Sequence, residues 1–257
     1  NLALAADGTV YSFGSNGDGQ LGDSTIIDKS SPVRVKNGLY PGTTNLGDNP
    51  LNPITSISAS DKNSAALAAD GNLYTIGFNG FGQLGDGTNF PKTTPVRVLK
   101  GSNYSGTTYL GDNSSNPIVA ISSGINSQLA LMSDGSVYSF GINNFGQLGN
   151  GNTTAQSLPV KMLKGAYGGT TYLGDKNNNP IVSISSVSLH SIAIAADGYV
   201  FSLGRNNFGQ LGDSTQINRT TPVFMHGVND SLYLNVLGNI KPPTARTVPA
   251  NRITFTT

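Results

Sequence analysis

The chain has 257 residues and a formal net charge of +1, with only 11% of its residues charged, and all of its acidic residues are aspartate. The scarcity of charged helix formers argues against an α-helical protein, and no apolar run approaches the length of a membrane span. The scattered lysines and arginines give no footprint for nucleic acid, and the absence of cysteine excludes disulfides and thiolate chemistry. A soluble all-β protein is predicted.

The first predicted element is a strand that runs into a turn at Asp7. Residues 1–7 have the character of the middle of a structural unit, without a signal peptide or an initiator methionine, so the sequence is expected to be a trimmed piece of a longer one. Similar Asp-Gly pairs begin at Asp70, Asp134 and Asp197, each between two runs of alternating polarity. This pattern is typical of β-hairpins.

Each hairpin is followed by the phrase Gly-Gln-Leu-Gly, which returns with a spacing of about 63 residues. Its glycines are interpreted as backbone positions that need a positive φ, because the Lys-Ser/Thr pair and the helix of a phosphate-binding loop are missing. Its leucines are predicted to be buried packing residues. The motif residues are Gly19, Gln20, Leu21, Gly22, Gly82, Gln83, Leu84, Gly85, Gly146, Gln147, Leu148, Gly149, Gly209, Gln210, Leu211 and Gly212.

Two further strands complete each unit. A short run begins with proline, as at Pro95 and Pro159, and suits an outer edge strand because proline cannot donate to a sheet. An apolar alternation such as 118–122 precedes each hairpin and suits a crowded inner strand. Four strands per unit at a fixed period predict β-propeller blades. The domain prediction is four such repeats over 1–243, followed by a C-terminal extension over 244–257.

A longer phrase carries a family resemblance. Residues 134–149 read Asp-Gly-Ser-Val-Tyr-Ser-Phe-Gly-Ile-Asn-Asn-Phe-Gly-Gln-Leu-Gly. The phrase resembles the repeat of the regulator of chromosome condensation family, which is also found in the secreted β-lactamase inhibitor protein of the second type. The resemblance covers nearly the whole chain and implies a β-propeller that acts through its loops as a binding platform. Phe13, Ile76, Phe140 and Leu203 stand where the family usually has tryptophan.

The repeat is longer than the usual family unit because it contains a recurring insert, expected to form a short hairpin that projects from one face. The inserts span 40–48, 104–112 and 167–175. Their last residues, Asp48, Asp112 and Asp175, begin stretches with oxygen ligands at a density seen in calcium sites. Lys176 stands where a ligand would be needed, so turn formation is favoured over calcium binding.

No catalytic constellation is apparent in the sequence. Most aspartates occupy turn positions fixed by the repeat, although a pair of carboxylates of the glycosidase kind at the propeller centre stays open. His190 and His226 lie in different parts of different repeats, so neither a metal site nor a Ser-His-Asp triad can be assembled. We therefore predict a protein that is not an enzyme, with no catalytic residue, no cofactor and no metal, and with calcium as the weaker alternative.

Five acceptor sequons lie in predicted loops and would permit N-glycosylation on a secretory route. They are Asn103, Asn113, Asn152, Asn218 and Asn229.

Scarce charge, abundant Asn, Gly and Thr, and the missing glutamate favour a non-enzymatic extracellular or cell-surface repeat protein with a structural, adhesive or self-assembling role. Three alternatives stay open: a secreted protein-binding or inhibitor propeller, a nucleotide-exchange factor for a small GTPase with chromatin binding, and an enzyme of unassigned type. The expected partners are proteins, including further copies of the chain, with no nucleic acid and no membrane span.

The assembly hypothesis rests on the last residues of the chain. The alternating run Arg252, Ile253, Thr254, Phe255, Thr256 and Thr257 is suited to strand addition. It is expected to complete a sheet, either the first blade of its own chain or the first blade of the next copy. Donation between copies would build a filament if the rotation does not close.

Overall fold

The computed structural model describes residues 1–176, 178–227 and 233–237, and the secondary structure in these ranges is β-strand without any helix. No segment of the described ranges is therefore a helix that could cross a membrane. In chain order the strands are β1 (Leu2–Leu4), β2 (Val10–Gly14), β3 (Lys29–Arg34), β4 (Ile54–Ala59), β5 (Asn63–Ala68), β6 (Leu73–Gly77), β7 (Lys92–Arg97), β8 (Ile118–Gly124), β9 (Ser127–Met132), β10 (Val137–Gly141), β11 (Gln156–Lys161), β12 (Ile181–Val187), β13 (His190–Ala195), β14 (Val200–Gly204) and β15 (Arg219–Phe224).

The strands form four antiparallel sheets in which neighbours in the sheet are neighbours in the chain. Their orders are β1-β2-β3, β4-β5-β6-β7, β8-β9-β10-β11 and β12-β13-β14-β15. The predicted all-β class and the blade-like repeats are thus confirmed, with three strands described in the first sheet and four in each of the others. The predicted boundary between 1–243 and 244–257 lies outside the described residues and stays a prediction.

The Asp-Gly turns set the register of each blade. In the second blade Leu67 is paired with Leu73, and the Asp70 carboxylate accepts a hydrogen bond from the Asn72 N–H at 3.0 Å. Gly71 has a φ of +84°, and a methyl group there would meet Pro117 Cβ at 2.4 Å. Glycine is therefore required here for two reasons. The turn needs a positive φ, and the connection to the next blade passes too close for a side chain.

The core lies between adjacent blades. Phe140 of the third blade is fully buried and belongs to one cluster with Val98, Tyr104 and Leu110 of the second blade's outer part. Ile76 and Leu203 take the matching position in the second and fourth blades and are also buried. Aliphatic and phenyl side chains therefore occupy the positions where the related repeat usually has tryptophan.

The inserts differ from the projecting hairpins that we expected. Each is closed by one isolated bridge, as between Leu99 and Tyr109. Tyr104 and Leu110 turn back into the core, and the Tyr104 hydroxyl accepts hydrogen bonds from the N–H groups of Gly111 (2.9 Å) and Asn113 (3.0 Å). Burial of the tyrosine and leucine side chains pulls the insert onto the blades.

The inner strands hold neighbouring blades together through serine side chains. Ser58 Oγ on β4 accepts a hydrogen bond from the Ser123 N–H on β8 at 3.0 Å. Ser122 Oγ on β8 accepts one from the Ser186 N–H on β12 at 2.8 Å. These contacts place β4, β8 and β12 side by side, as the inner strands of propeller blades are placed.

Candidate functional site

The loops lie on two opposite faces because successive strands of each blade alternate in direction. The motif face carries the loops between the first and second strands and between the third and fourth strands of each blade. It includes 15–28, 78–91, 142–155 and 205–218, with all four Gly-Gln-Leu-Gly motifs. The insert face carries the Asp-Gly turns and the inserts.

A buried asparagine organises each motif loop. Asn79 Nδ2 donates to the Asp86 carboxylate at 3.0 Å and to the carbonyl oxygens of Thr88 (3.0 Å) and Phe90 (3.2 Å). Its Oδ1 accepts a hydrogen bond from the Leu84 N–H at 2.9 Å. One amide thus satisfies backbone groups along the whole loop.

The same network recurs around the matching asparagines of the other repeats, Asn16, Asn143 and Asn206. Our sequence analysis missed these residues. The available signal was an asparagine four residues before each motif glutamine.

The Gly-Gln-Leu-Gly motif is part of the contact between blades. Gly82 has a φ of +78°, and a methyl group there would meet Ser157 Cα of the next blade's outer strand at 2.3 Å. Gln83 Nε2 donates to Asn126 Oδ1 of the next blade at 2.9 Å. The motif leucines are buried, with Leu84, Leu148 and Leu211 fully so. The motif therefore packs the loop against the next blade, and several loop side chains outside the motif face solvent.

Large apolar side chains are exposed on the motif face. Phe208 is 80% exposed and Phe90 is 73% exposed. Further exposed apolar residues on this face are Ile26, Ile27, Phe81 and Ile217. The buried network around the asparagines does not use these side chains, and exposed aromatic residues of this kind are characteristic of protein-binding surfaces.

Two cations rest on phenyl rings of the same face. Arg205 Cζ lies 5.3 Å from the ring centroid of Phe145 and 5.6 Å from that of Phe208. Lys62 Nζ lies 5.4 Å from the ring centroid of Phe78 and also forms an ion pair with Asp18 at 3.3 Å. All three distances to the rings fall within the range of cation–π attraction.

The motif-loop aspartates are ion-paired in three of the four repeats. Asp23 pairs with Lys29 and Asp86 with Lys92, both at 3.3 Å, and Asp213 pairs with Arg219 at 2.7 Å. Burial by itself would raise the pKa of each aspartate, but hydrogen bonds from the loop and the adjacent cation lower it below the ordinary value. These carboxylates are ionised structural groups, unlike the acid of a glycosidase pair, whose pKa is raised so that it can donate a proton.

The insert aspartates are not arranged for calcium. Asp112 accepts hydrogen bonds from Thr107 N–H (3.1 Å), Thr107 Oγ1 (2.8 Å), Thr108 N–H (2.8 Å) and Tyr109 N–H (2.9 Å). Calcium needs oxygen ligands, whereas this carboxylate is surrounded by hydrogen-bond donors. Asp48 and Asp175 have the same partners in their inserts, and across the described ranges no group of three or more His, Cys, Asp or Glu could hold a metal ion. The structure therefore gives no support to the calcium alternative.

The two histidines remain apart in different elements. His190 begins β13, and burial lowers the pKa of its imidazole. His226 Nδ1 lies 2.9 Å from Ser214 Oγ, and the residue forms an isolated bridge with Tyr233. The structure thus places one serine hydroxyl beside His226 and partly buries the His190 imidazole at the start of β13.

The four sequons within the described residues occupy loops, as expected, and at least two of their amides have hydrogen-bond partners. Asn103, Asn152 and Asn218 are exposed. Asn113 Nδ2 donates to Ser105 Oγ at 3.0 Å, and Asn218 Oδ1 accepts from the Asn206 N–H at 2.8 Å. Asn229 and the run Arg252, Ile253, Thr254, Phe255 and Thr256 lie outside the described residues.

The radial blades, their interlocked motif loops and a loop face with exposed aromatic side chains define a propeller-type repeat protein. The family described as "Regulator of chromosome condensation (RCC1) repeat" matches residues 7–67, 70–131, 134–194 and 197–237. The chain belongs to this family, which confirms the resemblance seen in the sequence.

Relatives were found at the level of sequence and of structure. The chain is 27% identical over 235 residues to the ultraviolet-B receptor UVR8 of Arabidopsis thaliana, covering 91% of this chain and 46% of the receptor. It is 29% identical over 239 residues to the human E3 ubiquitin-protein ligase HERC2, covering 91% of this chain and 4% of the ligase. The chain thus spans less than half the length of either relative.

Solved structures share the fold. Human WBSCR16 superimposes with a TM-score of 0.71 at 22% identity, over 88% of this chain and 50% of that one. Prp20p of Saccharomyces cerevisiae superimposes with a TM-score of 0.62 at 21% identity, over 88% of this chain and 48% of that one.

The expected extracellular or cell-surface location is wrong. The relatives include ubiquitin ligases, an ultraviolet-B receptor and the histone-binding Prp20p, which are nuclear or cytosolic proteins. The composition that suggested the cell surface has a structural origin: asparagines organise the motif loops, and glycines supply positive φ in turns. Structural, filament and glycoprotein roles likewise gain no support from the relatives.

Proposed function

We propose that this chain is a non-enzymatic protein-binding module that contacts partner proteins through the motif face. The observation that carries the proposal is the exposure of Phe208 beside the ring-stacked Arg205 on a rigid loop. Aromatic and arginine side chains supply most of the binding energy in protein interfaces, and rigid loops lose little entropy on binding.

The loop architecture supports a role in binding. Asn206 anchors the loop that carries Phe208 through its hydrogen bonds to Thr215, Ile217 and Leu211. The backbone is therefore held while the aromatic side chain projects. Among the relatives, Prp20 is described as bound to Kap60 and as binding Gsp1p and histones. The exchange-factor alternative rests on likeness in fold alone, and a fold does not carry an activity with it.

Site-specific photo-cross-linking tests the proposal. A photoreactive amino acid is placed at Phe208 on the motif face or, as the matched control, at Leu51, which is 93% exposed on the insert face. We expect discrete cross-linked protein partners from position 208 and none from position 51 when the chain is irradiated in cells. Equal cross-linking from both positions, or cross-linking from position 51 alone, would contradict a binding role for the motif face.

A second candidate function is self-association by strand addition. It is favoured by the alternating run 252–257, whose polarity pattern suits a strand that adds to the edge of a sheet in another copy. Deleting 252–257 should then convert higher assemblies into monomers in light scattering. Identical monomers before and after the deletion would rule out strand donation between copies.

A further inference from the structure

We propose that Arg205 binds a carboxylate of a partner protein, so that the motif face recognises an acidic segment. The inference rests on the proposed function and names the chemistry of its partner. The site consists of Arg205, Phe145 and Phe208, contributed by the motif loops of the third and fourth blades.

Among the described residues, two phenyl rings hold the guanidinium group in place. The two phenyl groups lie at 5.3 and 5.6 Å from Arg205 Cζ. Its Nε is buried without a hydrogen-bond partner, and the described residues offer the guanidinium neither a hydrogen bond nor an ion pair. Nη1 and Nη2 are not buried, so these donors reach solvent. The group is fixed in orientation while its hydrogen-bonding edge is free.

The other cations of this face differ from Arg205 in having a carboxylate beside them. Lys62 also rests on a phenyl ring but pairs with Asp18. Lys29, Lys92 and Arg219 pair with the aspartates of their own motif loops. The other three repeats of this chain do not have an arginine at this place, because Ser15, Phe78 and Ile142 take the matching positions.

The surroundings favour an acidic ligand. The adjoining loop 142–155 contains no charged residue, and Asp213 of the Arg205 loop is already paired with Arg219. A guanidinium donates in a planar fork, which a carboxylate matches with two parallel hydrogen bonds. Phe208 adds an apolar contact beside the fork. The matching partner segment therefore carries an Asp or Glu next to an apolar side chain.

The test uses the whole chain and a short synthetic peptide that alternates glutamate with leucine, compared with the same peptide containing glutamine in place of glutamate. Calorimetry gives the affinity, and the Arg205 Nε–H signal in NMR reports the contact. We expect the glutamate peptide to shift this signal and Arg205→Gln to weaken its binding about tenfold, as loss of one charged contact would. Arg205→Lys should recover only part of the affinity, because lysine lacks the planar fork.

Lys62→Gln is the matched control, because Lys62 is also a ring-stacked cation but has its own aspartate. It should leave the affinity unchanged. The proposal is overturned if the intact chain does not bind the glutamate peptide, if Arg205→Gln binds it as well as the intact chain, or if Lys62→Gln weakens it equally. Tighter binding of a phosphoserine version of the peptide would overturn the assignment to a carboxylate.

The peptide experiment and the cross-linking experiment test the carboxylate site and the binding face separately. If Arg205→Gln has no effect while position 208 still cross-links to protein partners, the carboxylate site is wrong and the binding face stands. If the peptide binds through Arg205 while position 208 cross-links to nothing in cells, the binding face loses its support and the carboxylate site stands.

Discussion

The motif loops of the second and third repeats, 78–91 and 142–155, have the same backbone design but different electrostatics. Both are organised by a fully buried asparagine, Asn79 or Asn143, and both bury the motif leucine. The second repeat adds the ion pair between Asp86 and Lys92. The third repeat has Asn150 and Gln156 at these two positions.

The loop requires its buried asparagine but tolerates either a carboxylate or an amide as the acceptor. Asn143 Nδ2 donates to Asn150 Oδ1 at 3.0 Å, the same distance as between Asn79 Nδ2 and the Asp86 carboxylate. An uncharged amide thus replaces the carboxylate as acceptor. In the third repeat, amide side chains replace both residues of the ion pair, whereas the buried asparagine and leucine are present in both repeats. The hydrogen-bond network and the apolar contact hold the loop, and the ion pair is an addition.

The largest effect is expected from the leucines that the two loops share. Leu84→Ala and Leu148→Ala should each lower the free energy of unfolding by about 2 to 5 kcal/mol, because each removes a fully buried side chain. Urea unfolding of the two variants measures the losses. A loss below about 0.5 kcal/mol in either variant would mean that the leucine is not a packing residue in solution.

The next effect concerns the shared asparagines. Asn79→Ala leaves the Leu84 N–H and two loop carbonyl groups without their partner, and Asn143→Ala does the same in the third repeat. Each change should cost about 1 to 3 kcal/mol, because the N–H of Leu84 or Leu148 is left buried and unpaired, whereas the partly buried loop carbonyl groups can bond to water. Hydrogen exchange of the Leu84 amide should accelerate in the first variant only. Unchanged protection there would mean that the network does not hold the loop.

A smaller effect is expected from the ion pair of the second repeat. A double-mutant cycle with Asp86→Asn and Lys92→Gln should give a coupling energy below about 1 kcal/mol, because the pair is partly solvated. The third repeat already carries this amide pair. A coupling energy well above that value would show that the two loops are held by different forces.

Asp86 gives the stability a pH dependence with a definite sign. Burial by itself raises its pKa, but hydrogen bonds from Thr88 and Asn79, with a smaller contribution from Lys92, outweigh burial and lower the pKa. The pKa of Asp86 in the folded chain lies below the ordinary value of 3.8. Its contribution to stability is therefore present above pH 3.8 and is lost as the pH falls through the folded-state pKa. Asp86→Asn should flatten the acid limb of the stability curve, whereas Asn150→Asp with Gln156→Lys should steepen it. An acid limb that neither change affects would refute this assignment.

The smallest effect is expected from the histidines. Asn63 and Ser127 stand in the second and third repeats at the place of His190, because each of the three residues pairs with the glycine that ends the next strand. Asparagine is therefore compatible with this position. The double change His190→Asn and His226→Asn should leave partner binding unchanged. A large loss of binding or of an activity would overturn the non-enzymatic assignment.

Much of the blade could be predicted because its signals are local. Asp70 and Gly71 specify a turn whatever lies around them, and Pro95 is restricted to an edge strand by its own missing N–H. The recurrence of these signals at one period was enough to predict four similar blades. The motif asparagine was equally visible in the sequence, but its role appears only when its five hydrogen bonds are seen together.

The sequence by itself therefore determined the strands, the turns and the repeat, since each depends on residues close together in the chain. Only the tertiary structure decided that Tyr104 and Leu110 draw the insert into the core, and that Arg205 lies between Phe145 and Phe208. Phe145 and Arg205 belong to different repeats, and their contact exists because one blade packs against the next. Such contacts depend on the angle and distance between blades, which are set by the buried side chains between them and leave no periodic trace in the sequence.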